Sequence, residues 1–345
     1  MPRPEKKLIA EIRRQVKSPK RSRIIPTGIG DDCAVLRIPP DHDQLVTTDF
    51  SLEGIHFRRE WHPAESVGHR CLARGLSDIA AMGGQPVAAF LSLALPGDLP
   101  QSWVTGFTCG LLALARKYKV TLAGGDTAES PNGILADIIV VGMVPKGEAI
   151  LRSTANPGDR IYVTGQLGGS AAAIHEFESS GRHPERSRSS GGAKDLARIK
   201  AMPSEYPRHF YPEPRIDPAQ ILRKKGFASA MIDLSDGLST DLSHICEESG
   251  AGAEIDSTVI PRATIGKPPR EVDLDEALHG GEDYELLFTA PRGQRIPAQL
   301  AGVPITQIGR VTRGKRILLI DQQSAGVELK PEGWEHFRTK KDLSS

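Results

Sequence analysis

The chain has 345 residues, with 44 basic and 43 acidic side chains, a formal net charge of +1 and 39% hydrophobic residues. So even a balance leaves no global field to favour nucleic acid or an anionic membrane surface, and any phosphate chemistry has to be local. The length points to two domains, and the 35 glycines beside an ordinary apolar fraction fit compact α/β domains with many tight connections.

Leu8, Ile9, Ile12 and Val16 recur at helical spacing over residues 5–17, and SPKRSR then breaks the pattern. The opening MPRPEKKLIAEIRRQ has no apolar run long enough for a secretory signal. The longest hydrophobic stretch, 134–144, is far short of a membrane span, so a cytoplasmic protein is expected. A strand over 44–48 is expected to end at Asp49. Pro63 opens a helix whose buried stripe is Val67, Cys71, Leu72, Leu76, Ile79 and Ala80, with Asp78 off the stripe near its end. Strands over 87–95, 120–123 and 134–144 flank a helix from Gln101 to Tyr118, and this first domain, 1–156, closes near Asn156. The second domain, 157–345, opens with a strand over 159–164 and a helix led by Gly168. A helix over 217–225, a strand ending at Asp233 and further mixed segments follow.

Within the second domain, the stretch 178–200 (ESSGRHPERSRSSGGAKDLARIK) has almost no large apolar residue and is expected to be a disordered insertion. Cys33, Cys71, Cys109 and Cys246 are widely separated with no CxxC pair. That spacing argues against disulfides and structural zinc, and all four are expected to be buried as small apolar residues.

The common phosphate-site and metalloprotease motifs are missing: no GxxxxGK[ST], no HRD with a later DFG, no GxGxxG after a strand, no HExxH. In their place stand five acidic segments: GIGDDCAVL from Gly28, TTDFSLEGIHF from Thr47, LSDIAAMGG from Leu76, AGGDT from Ala123 and MIDLSDGLSTD from Met231. Any one of them alone is ordinary turn chemistry. All five at predicted element ends, where α/β ligand sites gather, point to one oxygen-rich site for Mg2+. Asp31 and Asp32 point opposite ways in an extended chain, so one of them faces the cations, whereas Thr47 and Asp49 share a face and Thr48 adds oxygens at the strand end. Asp233 and Asp236 both reach inward through a turn, with Ser235 placed to donate to an anion. Gly237 begins a helix whose N-terminus is a natural phosphate site. Carboxylates repel phosphate by about 1 kcal/mol at 4 Å in water and by several times that near a protein surface, so metal ions have to mediate.

In this order GIGDDCAVL, TTDFSLEGIHF, LARGLSDIAAMGG, LAGGDT, DLSDGLSTDL and GGEDYELLFT resemble the thiamine-monophosphate kinase family of the aminoimidazole-ribonucleotide synthetase-like superfamily. The resemblance runs from Gly28 to PEGWEHF, interrupted by 178–200. It implies an α/β fold of two domains, with mixed sheets and flanking helices in each, dimeric through the N-terminal domains. It also implies phosphoryl transfer from ATP to thiamine phosphate with several Mg2+ ions. Carried over by motif, Asp32, Thr47, Thr48, Asp49, Asp78, Asp126, Asp233 and Asp236 are expected to ligate Mg2+, with Asp49, Asp126 and Asp236 acting in catalysis. Gly125, Asp126, Arg152 and Ser235 are expected to contact ATP, and His56, Glu282 and Trp334 to contact thiamine phosphate.

One position departs from the pattern. Thr108 stands where family members often carry an aromatic residue for the nucleotide, and threonine cannot stack on adenine. Sibling synthetases differ more, with DGVGTK in place of DFSLEGIHF, or a reactive Cys or Sec with a lysine near the start. The expected partners are ATP, thiamine phosphate and a second copy of the chain, with neither nucleic acid nor membrane.

Overall fold

The computed structural model describes residues 3, 5–16, 23–27, 29, 33–179, 203–321 and 326–334. Asp32 and the part of the expected insertion from 180 to 200 lie outside them. The chain folds as two compact units, one of the described residues up to Ala149 with those of 180–223, the other of residues 150–179 with those from Lys224 onward.

In the first unit α1 (Glu5–Gln15) is followed by β1 (His42–Leu52), α2 (Ala64–Ala81), β2 (Gln85–Pro96), α3 (Gln101–Lys117), β3 (Thr121–Ser130) and β4 (Leu135–Pro145). The sheet has the order β1-β4-β2-β3 and is antiparallel except for β2 and β3, whose parallel pairing requires the crossover that α3 supplies. Pro63 caps α2, as its fixed φ favours. The predicted stripe from Val67 to Ala80 is buried. Helices α2 and α3 lie backbone to backbone because glycine stands at the crossing. A Cβ on Gly68 would sit 1.9 Å from the Phe107 carbonyl oxygen, and one on Gly110 would sit 1.9 Å from that of Glu65. Leu72, Leu76, Phe107 and Leu111 of the helices and Ile138 and Val140 of the sheet are all buried in this unit's core. Each such side chain contributes about 1.5–3 kcal/mol through burial.

Strands β1 and β3 run past the ends that the sequence predicts, so Asp49 and Asp126 lie inside strands rather than at their ends. The glycines of AGGDT mark close packing, not a turn. Gly125 has φ of 148°, and a Cβ there would meet the Leu91 carbonyl oxygen of β2 at 1.9 Å.

The helix Pro207–Phe210 and all but the last residue of the helix Ile216–Lys224 belong to the first unit, although the sequence division assigns them to the second domain. Polar contacts explain it. His69 Nε2 donates to the Pro212 carbonyl at 2.8 Å and the Tyr118 hydroxyl to that of Pro214 at 2.9 Å, while Arg223 Nε donates to Gly83 at 3.0 Å. His62 and His209, both buried, face each other at 3.0 Å between their Nε2 atoms, and Arg70 donates to the His209 carbonyl.

In the second unit β5 (Arg160–Thr164) and α4 (Gly169–Ser179) are followed by β6 (Ala230–Asp233), α5 (Leu238–Ser249), β7 (Gly252–Asp256), β8 (Thr264–Ile265), β9 (Arg270–Glu271), α6 (Leu274–His279), β10 (Leu286–Ala290), β11 (Gln299–Leu300), β12 (Val303–Thr312), β13 (Ile317–Ile320) and β14 (Val327–Glu328). The main sheet is mixed, in the order β14-β13-β7-β12-β5-β10-β6. Helix α4 takes in Glu178 and Ser179, the first two residues of the expected insertion. Phe177, Leu242, Ile161 and Phe288 are buried in this unit's core, and Tyr162 stacks on Phe288 with ring centroids 5.2 Å apart.

Two of the cysteines correct the expectation that all four are buried. Cys33 and Cys109 are exposed, Cys109 because it lies on the outer face of α3 with Ser102, Ala113 and Arg116. Cys71 and Cys246 are buried, which pushes each thiol up to about 12. Among the described residues no helix is long and apolar enough to cross a membrane.

Candidate functional site

In the first unit α2 presents Arg74 and Asp78, one helical turn apart, to β1. The Thr47 hydroxyl donates to the Asp78 carboxylate. Arg74 donates to Asp49 Oδ1 from Nε at 2.9 Å and from Nη2 at 2.8 Å. Thr47 and Asp49 therefore share a strand face, as strand alternation predicts, and Arg74 orients Asp49. Neither Arg74 nor its role is among the sequence expectations. The signal was available in LARGLSD, which places Arg74 four residues before Asp78 on the same helix face. Thr48 points the other way and donates to Asp137 Oδ1 at 2.7 Å, a carboxylate that no acidic motif contains.

The register separates these groups. Phe50, Asp137, Ser92 and Asp126 form one row across the sheet, and paired residues in a row point to the same face. Asp126 thus shares its face with Thr48 and Asp137, whereas Thr47 and Asp49 face α2. At about 4.8 Å per strand, β3 is about 14 Å from β1. Within the described part of this unit, Thr47, Asp49 and Asp78 are brought together, and Asp126 is not brought to them.

A cavity of about 550 Å3 borders Gly124–Thr127, with apolar walls from Ile9, Ile12, Phe90, Leu91 and Leu93. The Thr127 hydroxyl is buried and has no hydrogen-bond partner among the described residues. Thr108 is buried in α3, and its hydroxyl donates to the Val104 carbonyl at 2.8 Å. His56 lies in the turn after β1, where Nδ1 accepts from the Leu52 N–H at 3.0 Å. That bond assigns the proton of the neutral ring to Nε2.

In the second unit Asp233 ends β6 and is buried. Ser235 and Asp236 form the turn into α5, and Gly237 caps it with φ of 114°, a conformation that favours glycine. From the first turn of α5, Asp241 reaches back, and its Oδ2 accepts from the N–H groups of Ser235, Asp236 and Gly237 at 3.1 Å each. The chain's own carboxylate thus holds the amides of the turn that leads into α5. On the other side of the turn, the Glu282 N–H donates to the Ser235 carbonyl at 2.8 Å and the Trp334 N–H to the Asp236 carbonyl at 2.9 Å. Glu282 adopts a left-handed φ of 65°. The Trp334 side chain is 52% exposed. Arg152 is exposed in the short 3-10 turn Arg152–Thr154, tied to α5 by a 2.8 Å bond from Ser249 Oγ to the Arg152 carbonyl. The turn therefore gathers Asp233, Ser235, Asp236, Glu282 and Trp334.

Ligand atoms of Asp236, Asp241 and His244 lie within 4.8 Å of one another. Burial, then the charges of Asp233 and Asp236, hold the Asp241 carboxyl well above the usual carboxylate range. The carboxylates of Asp233 and Asp236 in this unit, and those of Asp49 and Asp78 beside the Thr47 hydroxyl in the other, are hard oxygen donors of the kind that fits Mg2+.

Residues 30–144 match the N-terminal domain of AIR synthase related proteins, and residues 156–322 match their C-terminal domain. The thiamine-monophosphate kinase of Salmonella typhimurium (strain LT2) is 39% identical over 323 residues, covering 91% of this chain and 93% of that one. The crystal structure of thiamine-monophosphate kinase from Stenotrophomonas maltophilia K279a is similar with a TM-score of 0.74 at 34% identity, over 90% of this chain and 95% of that one. A structure of AaThiL complexed with AMPPCP and TMP is similar with a TM-score of 0.71 at 31% identity, over 96% of each chain. With both AIR synthase related domains in series and relatives matched over nearly their whole length, the chain belongs to the thiamine-monophosphate kinase family.

Proposed function

We propose that the protein transfers the γ-phosphoryl group of ATP directly to thiamine phosphate, giving ADP and thiamine diphosphate, the final step of thiamine diphosphate biosynthesis. The observation that carries this reading is the turn at 233–237. It combines Asp233, Asp236 and Ser235, suited to cations and phosphate, with backbone bonds to Glu282 and Trp334, suited to a cationic aromatic substrate. The AaThiL relative complexed with AMPPCP and TMP supports it.

Asp32, Thr47, Thr48, Asp49, Asp78, Asp126, Asp233 and Asp236 are the proposed Mg2+ ligands, with Asp49, Asp126 and Asp236 directly supporting transfer. Bound Mg2+ lowers the repulsion between two polyanions and neutralises charge on the moving phosphoryl group. Arg74 fixes the orientation of Asp49, and the Thr47 hydroxyl that of Asp78. Gly125 contacts ATP beside Asp126, Arg152 offers a planar fork to phosphate, and the Ser235 hydroxyl donates to an anion. The cavity beside Gly124–Thr127 has apolar walls that suit the base on which Thr108 cannot stack.

His56 donates from Nε2 to thiamine phosphate, Glu282 offers charge to the thiazolium, and Trp334 offers a stacking face. The acceptor phosphate is ionised near neutral pH, so no strong general base is required and positioning supplies most of the rate. Val46 and Phe50, 63% and 53% exposed on the face of β1 turned away from α2, favour a homodimer formed through this sheet. The cytoplasm is the proposed location.

Incubation with γ-labelled ATP tests direct transfer. Label is expected in thiamine diphosphate and none on the protein. A labelled protein intermediate, or nucleotide binding without turnover, contradicts the proposal.

A further inference from the structure

The geometry points to Asp241 as the positioning residue for Glu282 and Trp334, an assignment that rests on the phosphotransfer reading above. None of the roles above uses it, yet it is 2% exposed in the first turn of α5. Its Oδ2 accepts three consecutive backbone N–H groups, those of Ser235, Asp236 and Gly237. One oxygen bonded to three successive amides ties all three to the first turn of α5.

Each of these N–H groups belongs to a peptide plane whose carbonyl holds another part of the chain. The Leu234–Ser235 plane carries the Leu234 carbonyl, which accepts from the Tyr284 N–H at 2.9 Å. The Ser235–Asp236 plane carries the carbonyl that holds Glu282 at 2.8 Å, and the Asp236–Gly237 plane carries the one that holds Trp334 at 2.9 Å. A trans peptide is rigid, with its N–H and C=O pointing opposite ways. One carboxylate oxygen therefore sets the orientation of three planes, and with them the two residues proposed to receive thiamine phosphate.

The approach is close on the far side as well. A Cβ on Gly281 would sit 2.6 Å from the Ser235 carbonyl oxygen, and one on Gly333 would sit 2.1 Å from that of Asp236. Glycine precedes both held residues. Losing Asp241 frees the planes to rotate, and the displacement passes to Glu282 and Trp334 without any contact between Asp241 and substrate.

The test compares Asp241→Asn and Asp241→Ala with wild type in the full chain, by amide hydrogen exchange and by steady-state kinetics. In Asp241→Ala, exchange is expected to rise at Ser235, Asp236 and Gly237 and also at Glu282 and Trp334, with kcat/KM for thiamine phosphate falling about 100-fold, as for misplacement of a reacting group. Asp241→Asn keeps an oxygen for the three donors, so it rescues most of this. Its exchange at Glu282 and Trp334 still rises above wild type, and its KM for thiamine phosphate rises about threefold, reflecting a weaker acceptor. Wild-type exchange at Glu282 and Trp334 in both variants overturns the assignment, as does an equal kinetic loss in both. If Asp241→Ala does not fold, exchange in Asp241→Asn decides in the same way. A wild-type protein that makes no thiamine diphosphate, while exchange responds as expected, removes the phosphotransfer reading and leaves the control of these planes standing.

Discussion

Asp241 and Trp334 hold the two ends of one peptide group. The Gly237 N–H points to Asp241 Oδ2 at 3.1 Å, and the Asp236 carbonyl accepts the Trp334 N–H at 2.9 Å. Trp334 is thus anchored through its backbone while its indole stays half exposed. Trp334→Ala is expected to keep the anchor and lose the stacking face, worth about 1–2 kcal/mol for a cation over an indole, or roughly tenfold in KM for thiamine phosphate. The KM for ATP is expected to stay at its wild-type value. Steady-state kinetics with each substrate varied in turn check both halves of the prediction.

Asp49→Asn and Asp126→Asn are expected to lower kcat by about 100-fold or more, the scale of losing a charge aimed at the transition state. Both variants are expected to fold. Asparagine at 49 retains an oxygen for Arg74, and Asp126 is exposed on β3. Thermal unfolding within a few degrees of wild type alongside the kinetic loss is the expected pair of results.

Gly125→Ala is expected to act on stability first. The added Cβ would meet the Leu91 carbonyl oxygen at 1.9 Å in a backbone conformation that L residues rarely adopt, so β2 and β3 have to separate. A loss of about 2–4 kcal/mol is expected, read from the urea midpoint.

Burial, with Arg70 and His62 adding to it, holds the His209 ring well below its ordinary value of 6.5. The folded state keeps this ring neutral while the unfolded chain takes up a proton. The stability is therefore fully present above pH about 6.5 and is lost as pH falls below it, by at most about 1.4 kcal/mol per pH unit for this one group. His69 is shifted in the same direction, mainly by burial. Unfolding midpoints at pH 7.5 and 5.5 are expected to show the fall, and His209→Gln is expected to reduce its slope.

The long periodic elements were legible because their buried stripes are continuous, as in α2, where proline also marks the start. Strand β3 was only half legible. Its glycines look like a turn in sequence, and only the neighbouring Leu91 carbonyl shows that they mark close packing. The placement of 203–223 was hidden because it depends on His69, Tyr118 and Gly83 meeting residues 96 to 143 positions away. At the candidate site the pairing of Thr47 with Asp49 followed from strand alternation, whereas Asp137 stands in an apolar run and carries no turn signature. The opposite facing of Asp49 and Asp126 is a matter of register between strands, which no local motif encodes. Asp241 lies within a motif that draws the eye to Asp233 and Asp236, and its task appears only once α5 folds back over the turn.

The most direct test mixes the purified protein with ATP, Mg2+ and thiamine phosphate and measures thiamine diphosphate and ADP together. Equal amounts of the two products, abolished by chelating the metal, are the predicted result. ADP released without thiamine diphosphate, or phosphate passed to a different acceptor while thiamine phosphate stays unchanged, contradicts the account.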